Sequence, residues 1–149
     1  MTIGVQQLMA EVERIATAFH DAMFTHPDVD AALALTAADC VLVHRPAGTG
    51  AAGAEALHRF LAGQLQPHLP ADLGFTRLSR TVDRWQLVEE STVSFTHDRA
   101  LPWLLPGLAP TGHPVRVLAI SIVGVRHGRV TSHRTLWDHA GLLAQLTPA

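Results

Sequence analysis

The stretch VRVLAISIVGVRHGRVTSHRTLWD, residues 115–138, decides the fold. From Val115 to Val125 nearly every residue is apolar and many are β-branched, so the run reads as a central strand covered on both sides. His127-Gly128 reads as a tight hairpin turn, and Val130 to Asp138 as the strand that returns. Upstream, Leu87, Val93 and Phe95 alternate with Val88, Thr92, Ser94 and Thr96, which predicts a further strand with one mostly apolar face.

Before Gly74 the periodicity is helical. Leu8, Val12, Ile15, Ala16, Phe19 and Met23 recur at three- and four-residue intervals, a stripe that ends near Thr25-His-Pro27. Asp28 is placed to cap a second helix, Val-Asp-Ala-Ala-Leu-Ala-Leu-Thr-Ala, before the chain turns extended at Cys40-Val-Leu-Val-His44. After the turn-rich Arg45-Pro-Ala-Gly-Thr-Gly50, the residues Leu57, Phe60, Leu61 and Leu65 make a third helical stripe, which Pro67 and Pro70 stop. Leu142, Leu143 and Leu146 predict a short closing helix. The expected architecture is therefore α+β in one domain over residues 1–149: three N-terminal helices packed on a strongly curved antiparallel sheet, then a short C-terminal helix. Such a sheet leaves a cone-shaped cavity where a small molecule would sit.

Composition narrows the partners. The 149 residues carry a formal net charge of −2, which gives no electrostatic footprint for nucleic acid or an anionic membrane. No run reaches the roughly eighteen apolar residues of a spanning helix, and the N-terminus lacks the layout of a secretory signal. The single cysteine, Cys40, excludes an internal disulfide and suits a reducing compartment, so a cytoplasmic location is expected. Ten histidines raise the question of a metal, yet no His-x-x-x-His or His-Glu-x-x-His spacing occurs, and neither a metal nor a cofactor is expected.

One segment resists both periodicities. In Ala100-Leu-Pro-Trp-Leu-Leu-Pro-Gly-Leu-Ala-Pro-Thr-Gly-His-Pro114 a proline at every fourth position rules out a helix and a central strand alike. Trp103, Leu104, Leu105 and Leu108 must then be covered by the body of the domain, an apolar ligand or a second subunit. A lid that also touches a homodimer neighbour is the expectation. The preceding His97-Asp98-Arg99 group is placed to orient that loop, with a plain turn role for Asp98 as the alternative. Trp85 reads as a strand surface or dimer contact.

The helix start Gly53-Ala-Glu-Ala-Leu-His-Arg-Phe60, the ending His127-Gly-Arg-Val-Thr-Ser-His-Arg-Thr-Leu-Trp-Asp138 and the order of elements resemble the nuclear-transport-factor-2-like superfamily. The block Phe95-Thr-His-Asp, Pro102-Trp-Leu-Leu-Pro-Gly, Pro110-Thr-Gly, Trp137-Asp138 and Leu142-Leu is similar to its SnoaL-like polyketide cyclase branch. Laid on the ketosteroid isomerases of that superfamily, Trp137 and His133 fall at pocket-lining positions on either side of Thr135, which strand alternation puts on one face. His44 falls at or next to the general base, a carboxylate in those enzymes, and His20 where they carry an oxyanion-holding tyrosine. Their second oxyanion acid has no counterpart, because Val115–Val125 contains no Asp or Glu, which argues against a steroid isomerase.

The resemblance implies acid–base chemistry on a hydrophobic, carbonyl-bearing small molecule: cyclisation, isomerisation or dehydration. His44 is the leading base, with His20 and His133 as partners, and Trp137, Trp103, Phe19, Phe95 and His97 line the hollow. Neutral imidazole can take a proton next to a carbonyl, and a second one can donate a hydrogen bond to the enolate oxygen. The rival reading is a non-catalytic module that binds an apolar ligand or dimerises. An epoxide hydrolase needs paired carboxylates and an arginine around a water, and Arg134 with Asp138 supplies a single set; these two are expected to form an ion pair or a dimer contact.

Overall fold

The computed structural model describes residues 4–147. In chain order it contains α1 (Val5–His20), α2 (Val29–Ala34), β1 (Thr36–Arg45), β2 (Thr49–Ala52), α3 (Ala54–Phe60), β3 (Gly74–Val82), β4 (Gln86–Thr96), β5 (Pro114–Arg126), β6 (Arg129–Trp137) and α4 (His139–Leu146). Single wide turns extend α1 over Asp21–Thr25 and α3 over Leu61–Leu65. The six strands form one sheet in the order β2-β1-β6-β5-β4-β3.

The β5–β6 hairpin sits at its centre, as the run from Val115 predicts. Its turn places His127 and Gly128 at φ 51° and 73°, two left-handed residues in succession, the geometry that matches strand twist in a two-residue loop. The helices bury their stripes on the concave face: Val12, Ile15, Ala16 and Phe19 from α1, Leu57 and Phe60 from α3, with Leu61 and Leu65 following. Opposite them stand Leu42, Leu87, Val93, Phe95, Val117 and Val123. Register is irregular between Gly124 and Val125 and between Arg77 and Ser79, the kind of bulge that bends a strand and sharpens its twist.

Five expectations need correction. The sheet is not wholly antiparallel, because β1 lies parallel to β6, with Leu42 beside His133 and His44 beside Thr135. The three N-terminal helices do not form one block: β2 joins the expected extended segment, which is β1, between the second and the third. The turn-rich stretch after Arg45 contains β2, where Gly50 opposes Val43 so closely that a Cβ would meet the Leu42 carbonyl. The helix capped by Asp28, whose carboxylate accepts from the Ala31 N–H at 3.0 Å, ends at Ala34, since Thr36 already pairs with Val130. Finally, β5 is not covered on both sides: Leu118 and Ile120 are 47% and 41% exposed, Leu136 of β6 lies open opposite Ile120, and Val41 of β1 is exposed one strand further on.

The proline loop is neither helix nor strand, and its large apolar residues, apart from the half-buried Leu108, are buried in this chain's own interior. Leu101, Trp103, Leu104 and Leu105 are all buried, the Thr49 hydroxyl donates to the Trp103 carbonyl, and the Trp103 indole N–H donates to the His68 carbonyl at 3.3 Å. His97 closes the loop's neck: its N–H donates to the His113 carbonyl and its own carbonyl accepts from Gly112. Asp98 pairs with Arg99, which also donates to the Leu69 carbonyl at 2.9 Å. Arg134 and Asp138 do not form the expected ion pair. Asp138 caps α4 by accepting from the Gly141 N–H at 3.0 Å, and Arg134 makes no salt bridge among the described residues. Trp85 lies in the β3–β4 turn between the guanidiniums of Arg84 and Arg126, 4.2 and 4.9 Å from its ring. Among the described residues no helix is long and apolar enough to cross a membrane, and no cluster of three or more His, Cys, Asp or Glu is placed to hold a metal.

Candidate functional site

Strand register assembles a polar row across an otherwise apolar concave face. Arg80 of β3 opposes Glu89 of β4, Glu89 opposes Ser121 of β5, Ser121 opposes Thr135 of β6, and Thr135 opposes His44 of β1. Directly opposed residues share a face and lie within about 5.5 Å of each other at Cβ. Within the row the Ser121 and Thr135 hydroxyls are 3.3 Å apart, and Arg80 grips one Glu89 oxygen with Nε at 2.8 Å and Nη2 at 2.6 Å. Arg80 also reaches Glu13 of α1 at 3.2 Å. His133, two residues before Thr135, points to the same face.

His20 and His133 meet in a small cavity of about 50 Å³, lined also by Ala16, Thr17, Arg80, Leu87, Glu89, Ser121 and Val123. That space suits ordered water and is too small for an organic guest. It is continued outward by an open cleft of about 560 Å³, which shares His20, Arg80 and Glu89 and adds Phe24, Leu73, Phe75 and Arg77. His20 is thus the hinge between chamber and cleft, with its ring edge-on to Phe75 at 4.5 Å.

His44 lies deeper, in a packed aromatic layer. The Trp137 indole N–H donates to its Nδ1 at 3.1 Å, Phe60 stacks at 6.3 Å, and Trp103 stands 5.3 Å away. The three candidate histidines therefore do not converge on one open hollow: His20 and His133 share the chamber, and His44 is behind it. Of the residues expected to line the site, Phe19 touches the His133 ring edge-on at 5.6 Å, Trp137 holds His44, and Trp103 plugs the space between Trp137 and Phe24, 6.0 Å from each. Phe95 is buried in the core. His97 belongs to the loop neck, where its Nδ1 is 3.0 Å from the Thr111 hydroxyl.

Burial sets the charge of these rings. His44 is pushed down to about 4 by loss of solvent. His133 is pushed down to about 3 by burial first, then by repulsion from His44 and His20. His20 is also lowered by burial, but the carboxylates of Glu89 and Asp21 pull the other way and stabilise its charged form. Polar capacity is left over: His44 Nε2 and both nitrogens of His133 are buried without a hydrogen-bond partner in the protein, which is rare in folded interiors and leaves them for ordered water or for a ligand's polar atoms.

Sequence reasoning missed Arg80, Glu89 and Ser121. A signal existed for Glu89: it occupies an inward position of β4 between Leu87 and Ser91, where an isolated strand would place another apolar residue.

Comparison with known proteins agrees with this architecture. A protein designated a SnoaL-like polyketide cyclase from Jannaschia sp. CCS1 superposes with a TM-score of 0.79 at 16% identity, covering 99% of this chain and 100% of that one. AclR, a hydroxylase by its assignment, from Streptomyces galilaeus gives 0.68 at 20% identity over 95% and 89% of the two chains. An LEH-like epoxide hydrolase of M. tuberculosis gives 0.67 at 17% identity over 93% and 90%. No curated protein matches the sequence. A family model described as the SnoaL-like domain matches residues 16–133, and with that match, over most of the chain, this protein belongs to the SnoaL-like domain family.

Proposed function

We propose that the chain is a cofactor-independent enzyme that performs acid–base chemistry on a hydrophobic, carbonyl-bearing small molecule, by cyclisation, isomerisation or dehydration. The carrying observation is the leftover hydrogen-bonding capacity of His44 and His133 beside a third histidine that faces an open cleft walled by Phe24 and Phe75 on one part and by Arg77, Arg80 and Glu89 on another. His20 is the base in this reading, because it alone of the three has carboxylates nearby to stabilise the imidazolium that forms. His133 and His44 remain neutral and supply hydrogen bonds. Arg80 holds Glu89 in place beside His20. The substrate's apolar body rests on Phe24 and Phe75 in the cleft.

The test is a thermal-shift screen against apolar carbonyl compounds, followed by a pH–rate profile on a hit. A ligand at a hundred times its dissociation constant stabilises by about 2.7 kcal/mol, easily seen as a rise in Tm. The rate should carry a histidine limb that His20→Gln removes. A profile unchanged by His20→Gln would overturn the assignment of the base.

A second reading, a non-catalytic binding and dimerisation module, has its own support: the inner chamber is only about 50 Å³, and Val41, Leu118, Ile120 and Leu136 expose an apolar row on the outer sheet face. We infer that a second copy of the chain covers that row in either case.

A further inference from the structure

We propose that Trp137 is a positioning residue that fixes the tautomer of His44, so that His44 serves the site as a hydrogen-bond donor to a carbonyl or enolate oxygen and not as a base. The donor role rests on the acid–base reading above; the tautomer does not.

An indole N–H donates and cannot accept. It stands 3.1 Å from His44 Nδ1, so that nitrogen's lone pair is occupied. In a neutral imidazole the one proton must then sit on Nε2, and no lone pair is left to take a proton from a substrate. The expectation of His44 as the leading base is thereby reversed. Nε2–H is buried and has no acceptor within the protein.

The ring cannot easily trade its nitrogens. Its strand is in register with β6, where His44 opposes Thr135 and Trp137 follows two residues on, facing the same side. Phe60 stacks on it at 20° between planes, and Trp103 crosses it at 60°. Turning the imidazole over would displace rings from α3, β6 and the proline loop together. A donor held this firmly, with nothing to donate to, has the form of a preorganised oxyanion contact.

The division of labour follows. His20 takes a proton from the carbon beside the carbonyl; that C–H bond breaks, an N–H bond forms on His20, and the electron pair moves to the carbonyl oxygen. His44 Nε2–H meets the charge that develops there. His44 lines neither the chamber nor the cleft, so the oxygen meets Nε2–H only when the packing around the ring opens.

The test is histidine-resolved ¹⁵N NMR on the uncut, unmodified protein at neutral pH. His44 should show a bare Nδ1 and a protonated Nε2, and Trp137→Phe should turn this into a tautomer mixture. A protonated Nδ1 in the wild type, or no change in a folded Trp137→Phe, overturns the assignment; the wild-type spectrum decides even where the variant fails to fold. For the donor role, 4-nitrophenol imitates an enolate. Saturation should shift the Nε2–H resonance, and His44→Phe should weaken 4-nitrophenol binding about tenfold or more, whereas His44→Gln, which retains an N–H, should lose less. An unmoved resonance in a saturated protein overturns the donor role. Failure of 4-nitrophenol to bind, with the tautomer as expected, overturns the enzyme reading and leaves the tautomer assignment standing.

Discussion

His20, at the mouth, and His44, in the aromatic layer behind it, are the same side chain in two settings. His20 borders an open cleft and has Glu89 and Asp21 within electrostatic reach, so its charged form has support. His44 is fully buried among Trp103, Trp137 and Phe60, with one nitrogen taken by an indole and burial alone governing its charge. The difference teaches that residue type does not assign the role of a histidine. The carboxylate beside one ring favours proton uptake, and the indole beside the other leaves only donation.

The comparison can be broken most forcefully from the inner side. Trp103→Ala removes one of the rings packed on His44 and empties a fully buried indole site, and it should destabilise the protein by about 3–5 kcal/mol, read from urea unfolding. A loss below about 1 kcal/mol would mean that the proline loop is not part of the core.

Acid comes next. His44 and His133 have folded pKa values of about 4 and about 3, below the unfolded value near 6.5, so the unfolded chain binds more protons throughout the interval. Their contribution is complete above pH 6.5 and is lost as pH falls toward 4 and then 3, at about 1.4 kcal/mol per pH unit for each ring. His133→Phe should therefore flatten the decline between pH 6 and pH 4 by that amount, measured as the pH dependence of unfolding free energy. An equal slope in variant and wild type would place His133 in contact with water.

The mouth is sharpened by Glu89→Gln. Loss of the carboxylate removes a force that raises the His20 pKa, which should fall further, as followed by NMR titration. No movement would separate Glu89 from the site. The smallest effect on stability belongs to the outer face: Leu136→Glu should change unfolding by no more than about 0.5 kcal/mol and yet shift a dimer to a monomer in sedimentation. An unchanged sedimentation profile would remove the second copy from this surface.

Much of the frame was legible because period and turn chemistry are local. The stripe from Leu8 to Met23, the Asp28 cap and the His127-Gly128 turn each need only their own neighbours. What depends on distant pairing was not. β2 is four residues long and rich in glycine, and the parallel entry of β1 beside β6 joins residues some ninety positions apart. A continuous apolar run such as Val115–Val125 has the same pattern whether its outer face is covered by helices or left for a partner. At the site, the resemblance singled out His20, His44 and His133, whereas the Arg80–Glu89–Ser121 row emerged from register; alternation alone marked Glu89 as inward, but a charged residue in a strand reads as facing solvent. Which nitrogen of His44 carries the proton depends on an indole ninety-three residues away.

The most direct test of the central claim is a histidine-resolved NMR titration of the free protein from pH 8 to pH 4. The account predicts two classes of interior ring: His44 and His133 neutral to below pH 5, and His20 titrating above both. If all three protonated together near pH 6.5, the interior would be wet, the two settings would be one, and the assignment of separate roles would fail.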